Sequence, residues 1–226
     1  MSKSVILAAA AVAVVGAAGA FWYTSGSSGS MTPISIAADA QETTTSSAVS
    51  KVPDMILGNV DAKVTVVEYA SYTCPHCANF HDTVWDEFKK NYIDSGKVKF
   101  VYREVYFDKF GLWAAMIARC GGPEKYFGIN DMLYDGQRDW LASTKEQDIA
   151  DALRKVGLKA GMTSEALDAC LNDKDMAQAM VTAYQTNATN DKVQGTPTFI
   201  VNGESFSGEM TYDEFSKILD KKLADG

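Results

Sequence analysis

The chain has 226 residues, of which 46% are hydrophobic and 22% charged, so it is long enough to bury a substantial core. Its formal net charge at pH 7 is -8. This charge argues against nucleic acid as a partner, because nucleic-acid binding depends largely on lysine and arginine side chains that neutralise phosphates. Partners are expected to be neutral or basic surfaces, or unfolded chains bound through backbone and apolar contacts.

The amino-terminal segment has the composition of a targeting sequence. Lys3 precedes an unbroken run of apolar residues and glycine from Val5 to Trp22. Ala18-Gly19-Ala20 fits a cleavage site, whereas the length of the run and the aromatic residues at its end fit a membrane anchor. Residues 1–23 are therefore predicted to be a signal peptide or an uncleaved anchor, and residues 24–52 a flexible tether. Both alternatives place the rest of the chain outside the cytoplasm, where disulfides persist.

Two strands are predicted after the tether. Residues 54–58 form a short edge strand, and Val64-Thr65-Val66-Val67-Glu68-Tyr69 has the valine-rich composition of a strand that is buried on both faces of a sheet. Glu68 is the exception in this strand. Its carboxylate lies either in the interior, close to the start of the next element, or at a sheet edge in contact with solvent, and the strand pattern leaves both alternatives open.

Cys74-Pro75-His76-Cys77 follows this strand and begins an amphipathic helix. The apolar residues that recur at helical spacing are Phe80, Val84, Trp85, Phe88 and Tyr92. Two cysteines separated by two residues form half a zinc site or a redox-active dithiol. A zinc site needs further ligands at their own short spacing, and the other two cysteines stand alone, so the pattern favours the redox pair and predicts no metal site.

The position of Cys74 at the helix amino terminus predicts a reactive thiolate. Free N–H groups and the helix dipole stabilise a thiolate more than a thiol, which lowers the pKa from its usual value of about 8.5. Cys77, one turn further on, is expected to be shielded and to react as the resolving thiol. His76 is predicted to donate to the Cys74 sulfur or to lie charged beside it, the alternative being an exposed histidine without a role. His81 is predicted to lie on the polar face.

The chain then returns to a strand and continues into a helical block. Gly96 ends the first helix, and residues 98–105 form a strand parallel to the preceding one, which implies a right-handed crossover. Further helices are predicted around residues 110–120, 125–136, 143–156, 164–172 and 174–187. For the third of these, Ser143 and Glu146 predict a capping box and Gly157 predicts the end. The block indicates a helical subdomain inserted between strands.

Cys120 and Cys170 both lie in that block, each near the end of a predicted helix. In an oxidising compartment they most simply form a structural disulfide, which the chain-entropy model values at roughly 4 kcal/mol for a loop of this length. Two free buried thiols are the alternative.

The last part of the chain has a strand pattern again. Residues 194–201 form a strand, and Asn202-Gly203 predicts a tight hairpin into residues 204–206. Thr211 and Glu214 predict a capping box at the start of a final amphipathic helix.

Taken together, residues 53–226 resemble the DsbA-like thiol-disulfide oxidoreductases of the thioredoxin superfamily. The resemblance is carried by Cys74-Pro75-His76-Cys77, by Glu68 six residues before the first cysteine, by Thr196-Pro197 at the start of the third strand, and by the helical block. It implies an α/β thioredoxin fold with an inserted all-helical subdomain. The implied boundaries are 53–107 and 192–226 for the thioredoxin-like domain and 108–191 for the insertion.

The resemblance also implies roles for single residues. It implies that the bond before Pro197 is cis, that Pro197 packs against the redox-active disulfide, and that the Thr196 backbone accepts an extended substrate peptide by strand addition. It further implies that Glu68 is the buried proton acceptor for Cys77.

The implied activity is donation of the Cys74–Cys77 disulfide to newly exported, unfolded or reduced proteins in the periplasm. A monomer is expected, soluble or tethered to the inner membrane, with no cofactor besides this disulfide and with a DsbB-type membrane protein as the reoxidant. Thr196 stands where the best-known DsbA enzymes carry valine and related isomerases often carry threonine. An isomerase or reductase of the same fold therefore remains an alternative, as do a module that binds copper or zinc through the two thiolates and an interaction domain with an incidental disulfide.

Overall fold

The computed structural model describes residues 52–225. The predicted targeting segment and all but the last residue of the predicted tether lie outside the described residues. Within 52–225, no helix combines the length and the apolar character that crossing a membrane requires.

A five-stranded mixed sheet forms the centre of the fold, with the strand order β1-β3-β2-β4-β5. The strands are β1 (Met55–Gly58), β2 (Val64–Ala70), β3 (Val98–Glu104), β4 (Thr198–Val201) and β5 (Glu204–Ser207). β2 and β3 are parallel, as the sequence predicted, and every other neighbouring pair is antiparallel. β4 begins later than predicted, directly after Pro197, because proline has no N–H to donate to a strand ladder.

The carboxyl end of β2 is buried on both faces of the sheet. Glu68, Tyr69 and Ala70 are all buried, and successive side chains of a strand point to opposite faces. Both sides of the sheet are therefore covered at this end, which places Glu68 in the interior.

Helix α1 spans residues 75–93 without interruption. It consists of α-helical Pro75–Phe80, π-helical His81–Trp85, α-helical Asp86–Phe88 and π-helical Lys89–Ile93. The predicted apolar face is buried: Phe80, Val84, Trp85, Phe88 and Tyr92. The prediction for His81 was wrong, because this side chain is also buried. His81 lies four residues after buried Cys77 and four before buried Trp85, so it belongs to the same buried helical face.

Six helices between β3 and β4 form the predicted helical insertion. They are α2 (Lys109–Cys120), α3 (Pro123–Asp135), α4 (Gln137–Trp140), α5 (Glu146–Lys159), α6 (Ser164–Leu171) and α7 (Lys174–Asn190). Cys120, at the end of α2, and Cys170, in α6, are joined by a disulfide with a Cα–Cα distance of 6.0 Å. The α/β fold with a helical insertion, predicted from the sequence, is confirmed.

Two details of α5 differ from the prediction. Ser143 does not cap the helix; its hydroxyl donates to Asp148 at 2.7 Å, while Glu146 forms an ion pair with Lys109. The helix also continues past Gly157 to Lys159. Gly157 is needed for packing instead, since a Cβ there would lie 2.5 Å from the Cδ2 atom of Leu167.

Helix α8 (Tyr212–Asp225) ends the fold and covers one face of the sheet through buried Phe215 and Leu219. Its predicted capping box is present. The Thr211 N–H donates to Glu214 Oε2 at 2.9 Å, and the Glu214 N–H donates to Thr211 Oγ1 at 3.3 Å.

Candidate active site

Cys74 and Cys77 lie where β2 passes into α1. The Cys74 N–H donates to the Ser71 carbonyl at 3.0 Å, and Pro75 is the first helical residue, a position at which proline costs no hydrogen bond. Both cysteines are free thiols. Cys74 keeps 6% of its surface exposed and Cys77 keeps none, so Cys74 is the sulfur that an incoming group reaches first.

The surroundings of Cys74 favour its thiolate and lower the pKa of this thiol to about 5. A hydrogen bond from the Cys77 thiol makes the largest contribution, followed by Thr196 and by the backbone N–H groups of Cys77 and His76, while burial acts in the opposite direction. The direction agrees with the sequence prediction. The largest cause of the lowered pKa differs from the predicted one, because the Cys77 thiol contributes more than the N–H groups at the helix start.

Cys77 and Glu68 form the buried side of the site. Burial, the Cys74 thiolate and the charge of Glu68 raise the pKa of the Cys77 thiol far above its usual value. Glu68 is fully buried, which excludes the sheet-edge alternative. Burial and then the charge of Cys74 raise the pKa of the Glu68 carboxyl to about 8. Glu68 therefore holds a proton at neutral pH, in electrostatic contact with a thiol that also strongly prefers its protonated form.

His76 bonds to Glu209 rather than to the Cys74 sulfur. Its Nδ1 lies 2.9 Å from Glu209 Oε2, and 69% of its side chain is exposed. The hydrogen bond to Glu209 raises the pKa of the imidazole most, and the negative charge of Cys74 raises it further. The direct side-chain hydrogen bond to Cys74 that the sequence suggested is absent, and His76 acts on that sulfur through its charge and its backbone N–H.

We expect Glu209→Gln to lower the pKa of His76, because the amide keeps a hydrogen-bond acceptor but removes the negative charge beside the ring. The pKa can be followed by NMR titration of the imidazole protons. The titration is free of overlap, since burial lowers the pKa of the other histidine, His81, to about 3. Glu204→Gln serves as the control because Glu204 pairs with Lys222 instead. Equal His76 pKa values in the Glu209 variant and the unmodified protein would contradict the assigned role of Glu209.

The loop before β4 lies against the reactive sulfur. The Thr196–Pro197 peptide bond is cis, and the Cys74 thiol donates to the Thr196 carbonyl at 3.6 Å. Thr196 and Cys74 are 122 positions apart in the chain. The fold therefore brings together two of the motifs that carried the resemblance.

Gln137, which sequence analysis missed, connects the helical insertion to the site. Its buried amide Nε2 donates to the carbonyls of Tyr72 and Cys74 at 2.8 and 3.0 Å. It thereby holds both ends of the turn that leads into α1. No local signal marks this residue, since a glutamine in a polar helical stretch is usually a surface residue.

We expect Gln137→Leu to lower the free energy of unfolding by roughly 1 to 3 kcal/mol, because two buried carbonyls lose their shared donor. Chemical denaturation of the reduced protein measures the effect. Gln147→Leu is a matched control: Gln147 is exposed and bonds only to Asp151, so a change within about 0.5 kcal/mol is expected there. Similar losses in the two variants would show that Gln137 does not support the turn.

His81 completes the buried part of the site. Its ring stacks on Tyr134 with centroids 3.9 Å apart, and the Tyr134 hydroxyl lies 2.6 Å from that of Tyr102. His81 follows Cys77 by four positions, so helical spacing places both on one face of α1. This i, i+4 relation is the signal by which the sequence could have identified it.

The sheet order, the CxxC pair at a helix start and the cis-proline loop against its first sulfur define a thioredoxin-fold dithiol protein with a helical insertion. A family model described as Thioredoxin matches residues 50–221. The chain belongs to the thioredoxin family.

Solved structures place the chain on the DsbA-like branch of that fold. Wolbachia pipientis alpha-DsbA1 is 27% identical with a TM-score of 0.72, and the match covers 77% of this chain and 93% of that one. BdbD from Bacillus subtilis, in its oxidised form, is 27% identical with a TM-score of 0.67, covering 76% of this chain and 93% of that one. The resemblance to DsbA-like proteins stated from the sequence is confirmed.

Curated relatives agree with this placement. A Rickettsia felis protein with the provisional name protein-disulfide oxidoreductase is 37% identical over 171 residues, which is 75% of this chain and 60% of the relative. Disulfide bond formation protein D of Bacillus subtilis is 29% identical over 180 residues, covering 74% of this chain and 76% of the relative. The chain thus spans about three fifths of the length of the Rickettsia relative that it matches.

Proposed function

We propose that the protein is a thiol-disulfide oxidoreductase that donates its Cys74–Cys77 disulfide to exported proteins during oxidative folding. The observation that carries this proposal is the opposite environment of the two sulfurs. The pKa of Cys74 is lowered to about 5, whereas that of Cys77 is raised. Stabilising the Cys74 thiolate stabilises the reduced protein, which makes the oxidised protein an oxidant.

The proposed reaction begins when a substrate thiolate attacks the sulfur of Cys74. The Cys74–Cys77 bond breaks, its electron pair goes to Cys77, and Glu68 supplies the proton that makes Cys77 a thiol. A second substrate thiolate then attacks the substrate sulfur of the mixed disulfide, and Cys74 leaves as a thiolate. Two substrate thiols are oxidised to a disulfide and the enzyme disulfide is reduced, so the electrons balance.

Geometry supports the binding of an extended substrate next to Cys74. The Thr196 backbone lies against this sulfur, and its carbonyl contacts the thiol in the reduced protein. A substrate peptide paired with the Thr196 backbone by strand addition would carry its own cysteine to Cys74. Pro197 removes one backbone donor here, which leaves the loop free of competing ladder hydrogen bonds at that position.

The proposed partners and location follow from the relatives and from the targeting segment. Unfolded or reduced exported proteins are the substrates, and the periplasm is the compartment, with the protein soluble or tethered through its amino terminus. A DsbB-type membrane protein restores the disulfide, and the protein acts as a monomer. Support comes from the name of the Bacillus relative, a disulfide bond formation protein, and from the DsbA structures that share this fold.

Two measurements test the function. Equilibration with reduced and oxidised glutathione gives the reduction potential of the Cys74–Cys77 pair, and a value well above that of a stable structural disulfide is expected for a donor. Oxidation of a reduced, unfolded ribonuclease is compared with reactivation of a scrambled one. Faster oxidation supports the donor, whereas efficient reactivation with slow oxidation would identify an isomerase.

A further inference from the structure

The Glu68 carboxyl group and the His81 imidazole face each other in the interior, close to the cysteine pair. Glu68 Oε2 lies 3.8 Å from His81 Nε2, and their side chains are 0% and 2% exposed. Glu68 comes from β2 and His81 from α1, so the two elements that carry the site also bring these groups together.

Both side chains lack hydrogen-bond partners within residues 52–225. This holds for the two carboxylate oxygens of Glu68 and for the two ring nitrogens of His81. Leaving a buried polar atom unpaired costs about 1 to 3 kcal/mol, so four such atoms in two neighbouring side chains are costly. His81 is also the one basic side chain within ion-pair distance of Glu68 in the described part of the chain.

The other titratable groups around the pair are sulfur and phenol groups. Cys74 and Cys77 approach from α1, Tyr134 from α3 and Tyr102 from β3. The His81 ring is held between Tyr134, at 3.9 Å between centroids, and Trp85, at 5.0 Å. This packing orients the imidazole while its nitrogens remain free of other partners.

We propose that His81 is a positioning residue for the proton transfer between Glu68 and Cys77, an inference that rests on the proposed disulfide-exchange function. When Glu68 gives its proton to the Cys77 thiolate, a carboxylate forms at a fully buried position. The His81 Nε2–H then donates to it, which requires an approach of about 1 Å from the resting separation. In the reverse transfer, the hydrogen bond is present at the start and is given up when the Glu68 carboxylate accepts the proton of Cys77.

The His81 imidazole donates the hydrogen bond to the Glu68 carboxylate in its neutral form. Burial lowers the pKa of His81 to about 3, so the ring carries one N–H at neutral pH, and the inference assigns that proton to Nε2. The transfer moves one proton from a carboxyl group to a thiolate and leaves the net charge of the site unchanged. His81 lowers the barrier because it stabilises the carboxylate, which is otherwise the unfavourable product.

Two substitutions separate this role from simple packing. His81→Phe keeps an aromatic ring against Tyr134 but has no donor, whereas His81→Gln restores a neutral N–H donor. In the reduced protein, we expect His81→Phe to raise the pKa of Glu68 by about one to two pH units. The NMR shift of the Glu68 carboxyl carbon measures this pKa. In His81→Gln, the pKa of Glu68 is expected to return towards its value in the unmodified protein.

Kinetics provide the second readout. The mixed disulfide of Cys74 with glutathione is prepared, and its resolution by Cys77 is timed at neutral pH. We expect His81→Phe to slow resolution about tenfold, and His81→Gln to recover most of the rate. In a Glu68→Gln background, the Phe substitution should have little further effect, because the partner of the hydrogen bond is gone.

An unchanged Glu68 pKa and an unchanged resolution rate in His81→Phe would overturn the inference, even if the protein still oxidises reduced ribonuclease. Failure to oxidise ribonuclease, with both His81 effects present, would instead overturn the proposed function. If the variants do not fold, the inference can be tested on the unmodified protein. Nitrogen NMR of His81 should show the proton on Nε2, and a proton on Nδ1 would overturn the inference.

Discussion

Replacing Cys74 by serine is expected to lower thiol-disulfide exchange by more than about 1,000-fold, because a serine hydroxyl neither ionises near neutral pH nor forms a disulfide. Cys77→Ser should behave differently. Its Cys74 thiolate still attacks oxidised glutathione, but no resolving thiol remains to release the adduct. Mass spectrometry after mixing with oxidised glutathione should therefore show one stable glutathione on Cys77→Ser and none on Cys74→Ser. The opposite labelling pattern would show that the assignment of attacking and resolving sulfurs is reversed.

The pH dependence of this attack follows from the pKa of Cys74. The rate for Cys77→Ser should rise with the thiolate fraction, reach half of its plateau below neutral pH and stay constant above it. Loss of the Cys77 hydrogen bond, the largest cause of the lowered pKa, should place that midpoint above the value of about 5 in the intact site.

In the intact reduced protein, the lowered pKa of Cys74 contributes to the free energy of unfolding, and this contribution is complete above the pKa of the unfolded thiol. This contribution is lost as the pH falls through about 5.

Replacing Glu68 by glutamine is expected to stabilise the reduced protein, with the largest effect in alkaline solution. Burial raises the pKa of Glu68 from 4.5 to about 8 in the folded state. Between these values the unfolded chain releases a proton that the folded protein retains, so the contribution of Glu68 to stability falls as the pH rises from 4.5 to about 8. Since a tenfold change in proton affinity is worth about 1.4 kcal/mol, the gain from Glu68→Gln approaches roughly 5 kcal/mol above pH 8 and vanishes in acid.

Denaturant unfolding at several pH values measures this effect. The difference in stability between Glu68→Gln and the unmodified protein should grow across that pH window, because the titration of Cys74 contributes to both proteins. Glu165→Gln, on the exposed surface of α6, should change stability by no more than about 0.5 kcal/mol at any pH. A Glu68→Gln variant that is less stable than the unmodified protein at high pH would mean that the carboxylate has a stabilising partner.

The same substitution should slow the chemistry. Glutamine cannot give or accept the proton of Cys77, so resolution of the mixed disulfide should be slower in Glu68→Gln, although the fold is more stable. A stabilising change that impairs activity is the expected property of a strained functional group, and it distinguishes Glu68 from an ordinary core residue.

Much of the architecture was evident from local patterns. The helical spacing after Cys77 predicted the buried side of α1, and the strand patterns predicted the parallel pairing of β2 and β3. The capping box of Thr211 and Glu214 is present because both partners belong to one turn at the observed start of α8. The box of Ser143 and Glu146 failed because the helix begins at Glu146 with Lys145 at its N-cap, and Glu146 pairs with Lys109 from another helix.

By itself, the sequence determined the reactive pair and the strand and helix that hold it, since these depend on residues that are close in the chain, whereas the role of Glu68 was implied only by the resemblance. Only the tertiary structure decided that Glu209 lies beside His76 and Gln137 behind the turn, whereas the contact of the Thr196 loop with Cys74 was already implied by the resemblance. It also moved His81 from the expected surface to a buried position next to Glu68. The reason is physical: periodicity and capping act over one or two turns, whereas desolvation and charge depend on which distant segments pack together.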